Sequence, residues 1–411
     1  MEAFFNVIFY ITAFSALYVQ VFLLVVFLER RKDIKLRPAV SLSEYPSVDI
    51  IVPCWNEQKT IDGTVQSLLA LDYPKDKLRF HLVDDGSTDG TWDAMRKYEG
   101  YPQIDIVRKE NGGKHTAVNL GIDRSEGEFV ACLDADSFVA PDALKRMLTY
   151  FADPKIMAVS PTVIVHRPKN VVELAQKADY TMAAYIKKMF ASVNGLHVAS
   201  GSFTVFRREV FEKIGKYKKA HNTEDFEITL RMYQNGMQID QCNDAYVYTT
   251  APNSVRKLFK QRLRWMFGYI ENLKDYRHLI FRRKYGPVAL VTLPAGVISI
   301  FGVIYLFIML LVRVGKKIAD AILYWRDTGA LRLPPVHFDP FFINTGSTFF
   351  LIAMLYILVA VSFMLGKRVY GRRPVPSMDL VYFFIVYSVV APLWLLRAIY
   401  NSLTRAGSVW R

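Results

Sequence analysis

Phe4 to Leu28 reads FFNVIFYITAFSALYVQVFLLVVFL, about 25 residues without a charge where a bilayer core needs roughly 20. A run of that length is satisfied as a membrane-spanning helix, because lipid leaves no other partner for its backbone. Basic residues follow it (ERRKDIKLR), and neither a basic leader nor a small-residue cleavage site accompanies it. It therefore reads as an anchor whose carboxyl end is cytosolic. Three further runs, Val288–Val312, Ser347–Leu365 and Leu380–Ile399, are spans by the same argument, and apolar residues make up 52% of the whole chain. If all four cross, the basic stretches Arg282–Lys284 and Gly366–Arg373 share the side of the first basic flank. The basic loop Arg313–Arg332 falls on the other side, and its KKIADAILYW segment has the look of an amphipathic interfacial helix.

The formal charge of +14 in a chain with several spans belongs to lipid headgroups and positive-inside loops, so no nucleic-acid partner is expected. Cys54, Cys132 and Cys242 show no ligand spacing and read as structural, reduced thiols.

One polar stretch lies between the first and second spans, and it alternates. VDIIVP is a strand followed by the polar CWNEQKT and a helix through Ile61, Val65, Leu68 and Leu69. RFHLVDDGSTDGT, IDIVRKENGGKHTAVNLGI and GEFVACLDADS repeat the strand-to-loop-to-helix order. Such alternation predicts a mainly parallel sheet with helices on both faces, and ligands then bind outside the carboxyl ends of the strands. Each of those ends carries polar chemistry: Asn56 and Glu57, Asp84 and Asp85, Gly112 to Lys114, then Asp134 and Asp136. No G-x-G-x-x-G opens the first helix, which argues against a dinucleotide oxidoreductase. NGGKHT fails as a phosphate loop because its earlier glycine would fall at Arg108.

Asp134 and Asp136, two apart at a strand end, are expected on one face. Hard oxygen ligands without histidine or cysteine suit Mg²⁺ or Mn²⁺ shared with phosphate. HNTEDFEITLRMYQNG predicts a helix with Thr223 near its N-cap and Glu224 and Asp225 in its first turn. The macrodipole there favours an ionised Asp225 unless desolvation opposes it, and ionised is the form a general base needs. SVRKLFKQRLRWMFGYIENL is an amphipathic helix on which Gln261, Arg264 and Trp265 share a face. An arginine fork for phosphate and an indole for a sugar account for that trio.

Taken in order, VPCWNE, DDGSTDGT, DAD, TED and QRLRW resemble the membrane-integrated family-2 glycosyltransferases of GT-A fold, the group with the cellulose, chitin and hyaluronan synthases. The resemblance implies an α/β GT-A (Rossmann-like) catalytic domain over 46–252. A single span over 1–30 precedes it, amphipathic interface helices over 253–287 follow, and a membrane region over 288–411 completes the chain. It implies a nucleotide-diphosphate sugar donor contacted by Pro53, Asn56, Glu57, Asp85, Lys114 and Asp134, with a divalent metal on Asp136. Asp225, beside Glu224, would be the base, and Gln261, Arg264, Trp265, Gly201 and Ser202 would line the diphosphate and acceptor region. The expected reaction is one-step transfer with inversion at a plasma-membrane site with the catalytic domain cytosolic.

Processive members of this group often carry a gating motif of the F-x-V-T-x-K kind, where this chain reads RLPPVHFDPFFINTG. The membrane part is small for a secretion channel, so the expected acceptor is a lipid-linked polyprenyl or dolichyl glycan; the alternative is a processive polysaccharide synthase. A nucleotide-sensing receptor or transporter is disfavoured by spans nearly free of charge. The stretch Asn170 to Phe190 reads equally as a helix on the bilayer or in the core.

Overall fold

The computed structural model describes residues 2–31, 42, 44–329, 347–369, 371, 375 and 377–404. The segment expected to hold a gating motif and the end of the basic Gly366–Arg373 stretch lie outside the described residues. The chain divides into two compact units, Met1–Phe22 with Ala295–Val361, and Leu23–Pro294 with Ser362–Arg411.

Helix α1 (Glu2–Arg30) opens the chain. The polar stretch then folds as β1 (Val48–Cys54), α2 (Ile61–Leu69), β2 (Leu78–Asp85), α3 (Thr91–Arg96), β3 (Ile104–Lys109), α4 (Lys114–Arg124) and β4 (Phe129–Cys132). Next come β5 (Ser137–Val139), α5 (Ala143–Leu148), β6 (Ile156–Val165), α6 (Val171–Ser192), β7 (Thr204–Arg207), α7 (Glu209–Ile214), α8 (Glu224–Gln234), β8 (Gln238–Thr249) and α9 (Val255–Asp275). Helices α10 (Leu293–Thr328), α11 (Ser347–Val369) and α12 (Met378–Thr404) finish it.

The strands form one sheet in the order β3-β2-β1-β4-β7-β6-β8-β5. Strands β3, β2, β1 and β4 run parallel, as the alternating pattern predicts. Strand β7 is antiparallel to β4 and to β6, so the sheet is mixed beyond β4. That reversal matters for the site: Thr204, the first residue of β7, pairs with Cys132, the last of β4. The loop entering β7 therefore arrives where the β4 chain leaves the sheet.

Both faces are packed. Ile50, Val52, Leu68, Phe80, Met95 and Leu144 belong to one core cluster, and Ile51, Val83, Val118, Phe206, Ile228 and Leu230 to the other. Alternate residues of β1 go to opposite cores because side chains in a strand alternate. A strand buried on both faces reads as a continuous apolar run, which is how VDIIVP reads. Helix α6 packs on β6 and β8 with α12 on its other side. Its Ala178, Met182, Tyr185 and Met189 are buried, so the stretch that read both ways in sequence is a core helix. Its start is fixed by a capping box between Asn170 and Glu173, which satisfies two otherwise orphaned N–H groups.

Three helices among the described residues are long and apolar enough to cross a membrane: Val7–Arg30, Val288–Thr328 and Met378–Thr404. Helix α11 occupies the position expected for the remaining span. The KKIADAILYW segment is not a separate interfacial helix; it continues α10, which follows a π-helical turn at Val288–Thr292 and is 36 residues long. At about 1.5 Å per residue such a helix outruns a bilayer core of roughly 30 Å. Large apolar side chains such as Phe301 and Leu310 are exposed along it, the arrangement a lipid solvent allows.

Candidate active site

The carboxyl ends of β1, β2 and β3 are bound together before any ligand is considered. Asn56, at φ 56, accepts from Thr88 N at 2.9 Å through its side-chain oxygen, and its own N–H donates to Ser87 Oγ. Glu57 N donates to Thr91 Oγ1 at 2.8 Å, and its carboxylate accepts from Thr60 Oγ1. Asp85 is buried and accepts from Lys109 Nζ at 2.6 Å, Gly112 N at 3.0 Å and Gly113 N at 2.9 Å. Pro53 sits within β1, paired with Val83. Asp85 thus holds the glycine loop that leads to Lys114, a structural duty the motif alone did not reveal.

Lys114 begins α4 and carries the central clasp. Its Nζ lies 2.7 Å from Asp134 Oδ1 and 2.8 Å from Glu224 Oε1. Burial alone would lower its pKa, but Asp134 and Glu224 raise it well above the usual lysine value. Burial would raise Asp134, but Lys114, Ser202 and Arg264 bring it below the usual carboxylate value. Ser202 Oγ donates to Asp134 Oδ2 at 3.2 Å, and Gly201 N donates to Asp225 Oδ2 at 3.2 Å. A Cβ on Gly201 would meet Lys114 Nζ at 3.0 Å, so any other residue there would press on the lysine tip. Sites four separate segments apart in sequence meet here: Lys114, Asp134, Gly201 with Ser202, and Glu224 with Asp225.

The DAD segment differs from expectation. Strand β4 ends at Cys132, and Asp134 to Asp136 turn, with Ser137 N donating to Asp134 O at 3.0 Å. Asp134 and Asp136 are not consecutive same-face residues of a strand, because they lie in the turn that joins β4 to β5. Asp136 accepts from Ser137 Oγ and is pushed up to about 7 by burial and then by the charges of Asp134 and Glu57.

Asp225 stands in the first turn of α8, as predicted, and burial followed by Glu224 pushes it up to about 6. Desolvation therefore opposes the helix dipole, yet the carboxylate is still mostly ionised at neutral pH. Thr223 occupies the N-cap position without capping through its side chain. It donates to Ala220 O and accepts from Asn272 Nδ2 at 2.8 Å. Ala220, His221 and Asn222 just before it all have positive φ, between 44 and 68, a costly run for residues with a Cβ. Helix α9 holds that turn: Asn272 Nδ2 also donates to Ala220 O at 2.9 Å, and any side chain on Gly268 would collide with Thr223 Oγ1 at 2.3 Å. Gly268 and Asn272 escaped the sequence reading, since nothing local marks a residue whose role is to brace another helix.

On α9, Arg264 bears on Asp134 electrostatically, and Gln261 Oε1 is buried with no hydrogen-bond partner among the described residues. Trp265 is covered by the guanidinium of Arg262, 4.6 Å from its ring centre. Arg262 in turn pairs with Asp179 of α6 at 2.5 Å. That arginine, passed over in QRLRW, joins α9 to α6. All three cysteines are buried and free, as expected.

A twisted sheet with its ligand edge built this way defines a GT-A fold, and the comparisons identify the domain that has it. Residues 49–215 match the family model described as glycosyl transferase family 2, in agreement with the motifs. Over 270 residues it is 28% identical to a poly-β-1,6-N-acetyl-D-glucosamine synthase of Staphylococcus aureus, which covers 64% of this chain and 65% of that one. Over 239 residues it is 30% identical to a β-monoglucosyldiacylglycerol synthase of Synechocystis, covering 56% of this chain and 50% of that one. The matches thus span less than two thirds of either relative. A mannosyltransferase from Pyrobaculum calidifontis, solved with GDP-mannose and Mn²⁺, has the same fold with a TM-score of 0.61 at 20% identity, covering 96% of this chain and 99% of that one.

Proposed function

We propose that the protein is a membrane-bound, inverting glycosyltransferase that moves a hexosyl group from a nucleotide-diphosphate sugar to a lipid-linked acceptor. The observation that carries the reading is the cluster in which Gly201 N–H and the α8 terminus present Asp225 beside the Lys114 clasp. The match of residues 49–215 to the family model and the nature of both relatives support sugar transfer. The basic flanks of the spans support a cytosolic catalytic domain.

In this reading the loops after β1, β2 and β3 bind the nucleotide, with Pro53, Asn56, Glu57 and Asp85 shaping the pocket. Lys114 and Arg264 face the diphosphate. The acceptor hydroxyl forms its bond to the anomeric carbon as the bond to the diphosphate oxygen breaks, its proton passes to Asp225, and the negative charge leaves with the nucleoside diphosphate. Gln261 and Trp265 border the diphosphate and the acceptor.

Asp136 fits a divalent cation. Its carboxylate is part-buried among like charges with one hydroxyl partner, and a cation offsets that cost. Among the described residues no group of three or more histidine, cysteine or acidic side chains could hold a metal, so phosphate and water oxygens would complete the shell, the habit of Mg²⁺ and Mn²⁺. When bound, such an ion supplies charge neutralisation on the departing diphosphate.

A processive polysaccharide synthase is the second reading, favoured by the likeness to the poly-N-acetylglucosamine synthase. Purified protein given labelled GDP-mannose, UDP-glucose or UDP-N-acetylglucosamine, Mn²⁺ or Mg²⁺, and extracted membrane lipids decides between them. Short lipid-soluble products support transfer to lipid, and a ladder of long chains from one donor overturns it.

A further inference from the structure

One bulky side chain outside the site stands where neither packing nor backbone preference would put it. Phe281, in the turn between α9 and the apolar run that opens at Val288, has φ 59 and is 71% exposed. A left-handed backbone is unfavourable for a residue with a large side chain, and Phe281 gains no burial from it. Its neighbours behave differently. Leu279 is fully buried, and Ile280 and Tyr285 pack on the core cluster that holds Val83 and Ile228. The turn is also well fixed: Phe281 N donates to Ala289 O at 3.0 Å, and Arg282 N to Leu279 O at 3.2 Å.

The charge around this ring has one sign. Arg282, Arg283 and Lys284 follow it directly and Arg277 precedes it, with no acidic residue from Arg277 to Thr292. All four cations are exposed, and among the described residues none makes an ion pair. Lys284 lies over the Tyr285 ring, 5.5 Å from its centre.

Position in the chain says what such a tip meets. The hydrogen bond to Ala289 ties Phe281 to the first turn of Val288–Thr328, which is long and apolar enough to cross a membrane. The turn therefore lies where a span leaves the hydrocarbon, at the level of the headgroups. An aromatic ring is favourable at that level, and exposed arginine and lysine attract anionic headgroups there.

We infer that the turn from Phe281 to Lys284 is a lipid contact: Phe281 enters the bilayer surface, and Arg282, Arg283 and Lys284 gather anionic lipids around it. This rests on Val288–Thr328 being a span of the proposed membrane-bound enzyme, and it does not depend on which acceptor receives the sugar. The left-handed backbone turns the ring away from the protein, so contact with lipid offsets its strain.

The test places a small fluorophore on Phe281→Cys of the full-length protein in phosphatidylcholine vesicles. These contain equal fractions of nitroxide-labelled phosphatidylcholine or nitroxide-labelled phosphatidylglycerol as quencher. Cys54, Cys132 and Cys242 are buried, so the wild type treated in parallel gives the background. Phe301→Cys, at an exposed position of α10, marks the span, and Tyr101→Cys, exposed ahead of β3, marks the polar domain. The label at Phe281 should be quenched as at Phe301, and that at Tyr101 should not. Quenching at Phe281 should be about twofold stronger with the anionic lipid. That preference should vanish when Arg282→Gln, Arg283→Gln and Lys284→Gln are combined, and in about 0.5 M salt.

Quenching at Phe301 without quenching at Phe281 overturns the lipid contact and leaves the span standing. Quenching at neither overturns the span and this inference with it. Equal quenching by the two lipids, or a preference that survives the triple substitution, overturns the role given to the basic residues. Phe281→Gly adds a test that needs no label. Glycine relieves the left-handed strain, so the thermal midpoint in detergent should not fall below that of wild type. A lowered midpoint would show that the ring packs on protein and would overturn the assignment.

Discussion

The two ends of the same parallel strands treat buried carboxylates in opposite ways. Toward the amino ends, His81 of β2 lies between Asp105 of β3 at 3.0 Å and Asp49 of β1 at 3.4 Å. Asp49 also accepts from Glu126 N and Gly127 N at 2.7 and 2.6 Å, and Asp105 is forked by Arg124 at 2.6 and 2.8 Å. Asp105 is accordingly lowered, first by Arg124, and Asp49 is lowered by His81 and Gly127 against its burial. Toward the carboxyl ends Asp85 and Asp134 are paired with Lys109 and Lys114, but Asp136 and Asp225 are crowded by other acids and rise to about 7 and about 6. Partnered acids hold a fold together. Acids left to repel each other are suited to bind a cation or take up a proton, and perturbed values of this kind cluster at functional sites.

Substitutions at the two ends should separate accordingly. The largest effect is expected from Asp225→Asn, which removes the base: transfer falls by about two to four orders of magnitude, while nucleotide titration gives a donor affinity near wild type. Near-normal transfer by this variant would remove Asp225 from its role. Asp136→Asn comes next, with donor binding that no longer responds to Mn²⁺ and no thermal stabilisation by the metal. Calorimetry showing Mn²⁺-dependent binding intact would clear Asp136 of metal duty.

At the other end, Asp49→Asn should cost about 1–3 kcal/mol of stability, because a charged acceptor of buried N–H groups is weakened, with kcat of the folded protein unchanged. The pH signs follow from the same groups. Depressed Asp49 and Asp105 contribute stability above the ordinary carboxylate range that is lost as pH falls through their lowered values. His81 is raised by Asp49 and Asp105 against its burial, so its contribution is present below about 6.5 and lost as pH rises through its folded value. Denaturant midpoints of Asp49→Asn and wild type should therefore lie furthest apart between these limits, and a constant gap from pH 3 to 9 would refute the pairing.

The smallest effect concerns the acid limb of kcat. Asp225 must lose its proton, so activity rises with pH through about 6. Glu224→Gln removes one charge that raises Asp225 and should shift that limb to lower pH by less than about one unit. An upward shift would show that the loss of Glu224 from the Lys114 clasp outweighs its repulsion.

Strand-ending acids were legible because each motif sits at a strand end and a parallel sheet puts those ends on one edge. Asp225 was legible from its place in a helical first turn. What stayed hidden depends on elements distant in sequence. Asp85 binds a loop rather than standing open, because Gly112 and Gly113 fold back over it. Arg262, Gly268 and Asn272 acquire their importance only when α9 meets α6 and the turn before α8. The turn at Asp134–Asp136 follows from where β4 ends and β5 begins in the sheet, and no periodicity within CLDADS encodes that end.

By itself, then, the chain determined the apolar helices, the alternation that builds the parallel half of the sheet, and the identity of the acids at its edge, since all three rest on local period and side-chain chemistry. Tertiary structure decided which of those acids are neutralised and which are left charged and crowded. That outcome depends on the cation each one meets, as Asp134 meets Lys114 and Asp105 meets Arg124, while Asp136 meets other acids. Burial magnifies the difference, because a charge removed from water depends on its nearest partners.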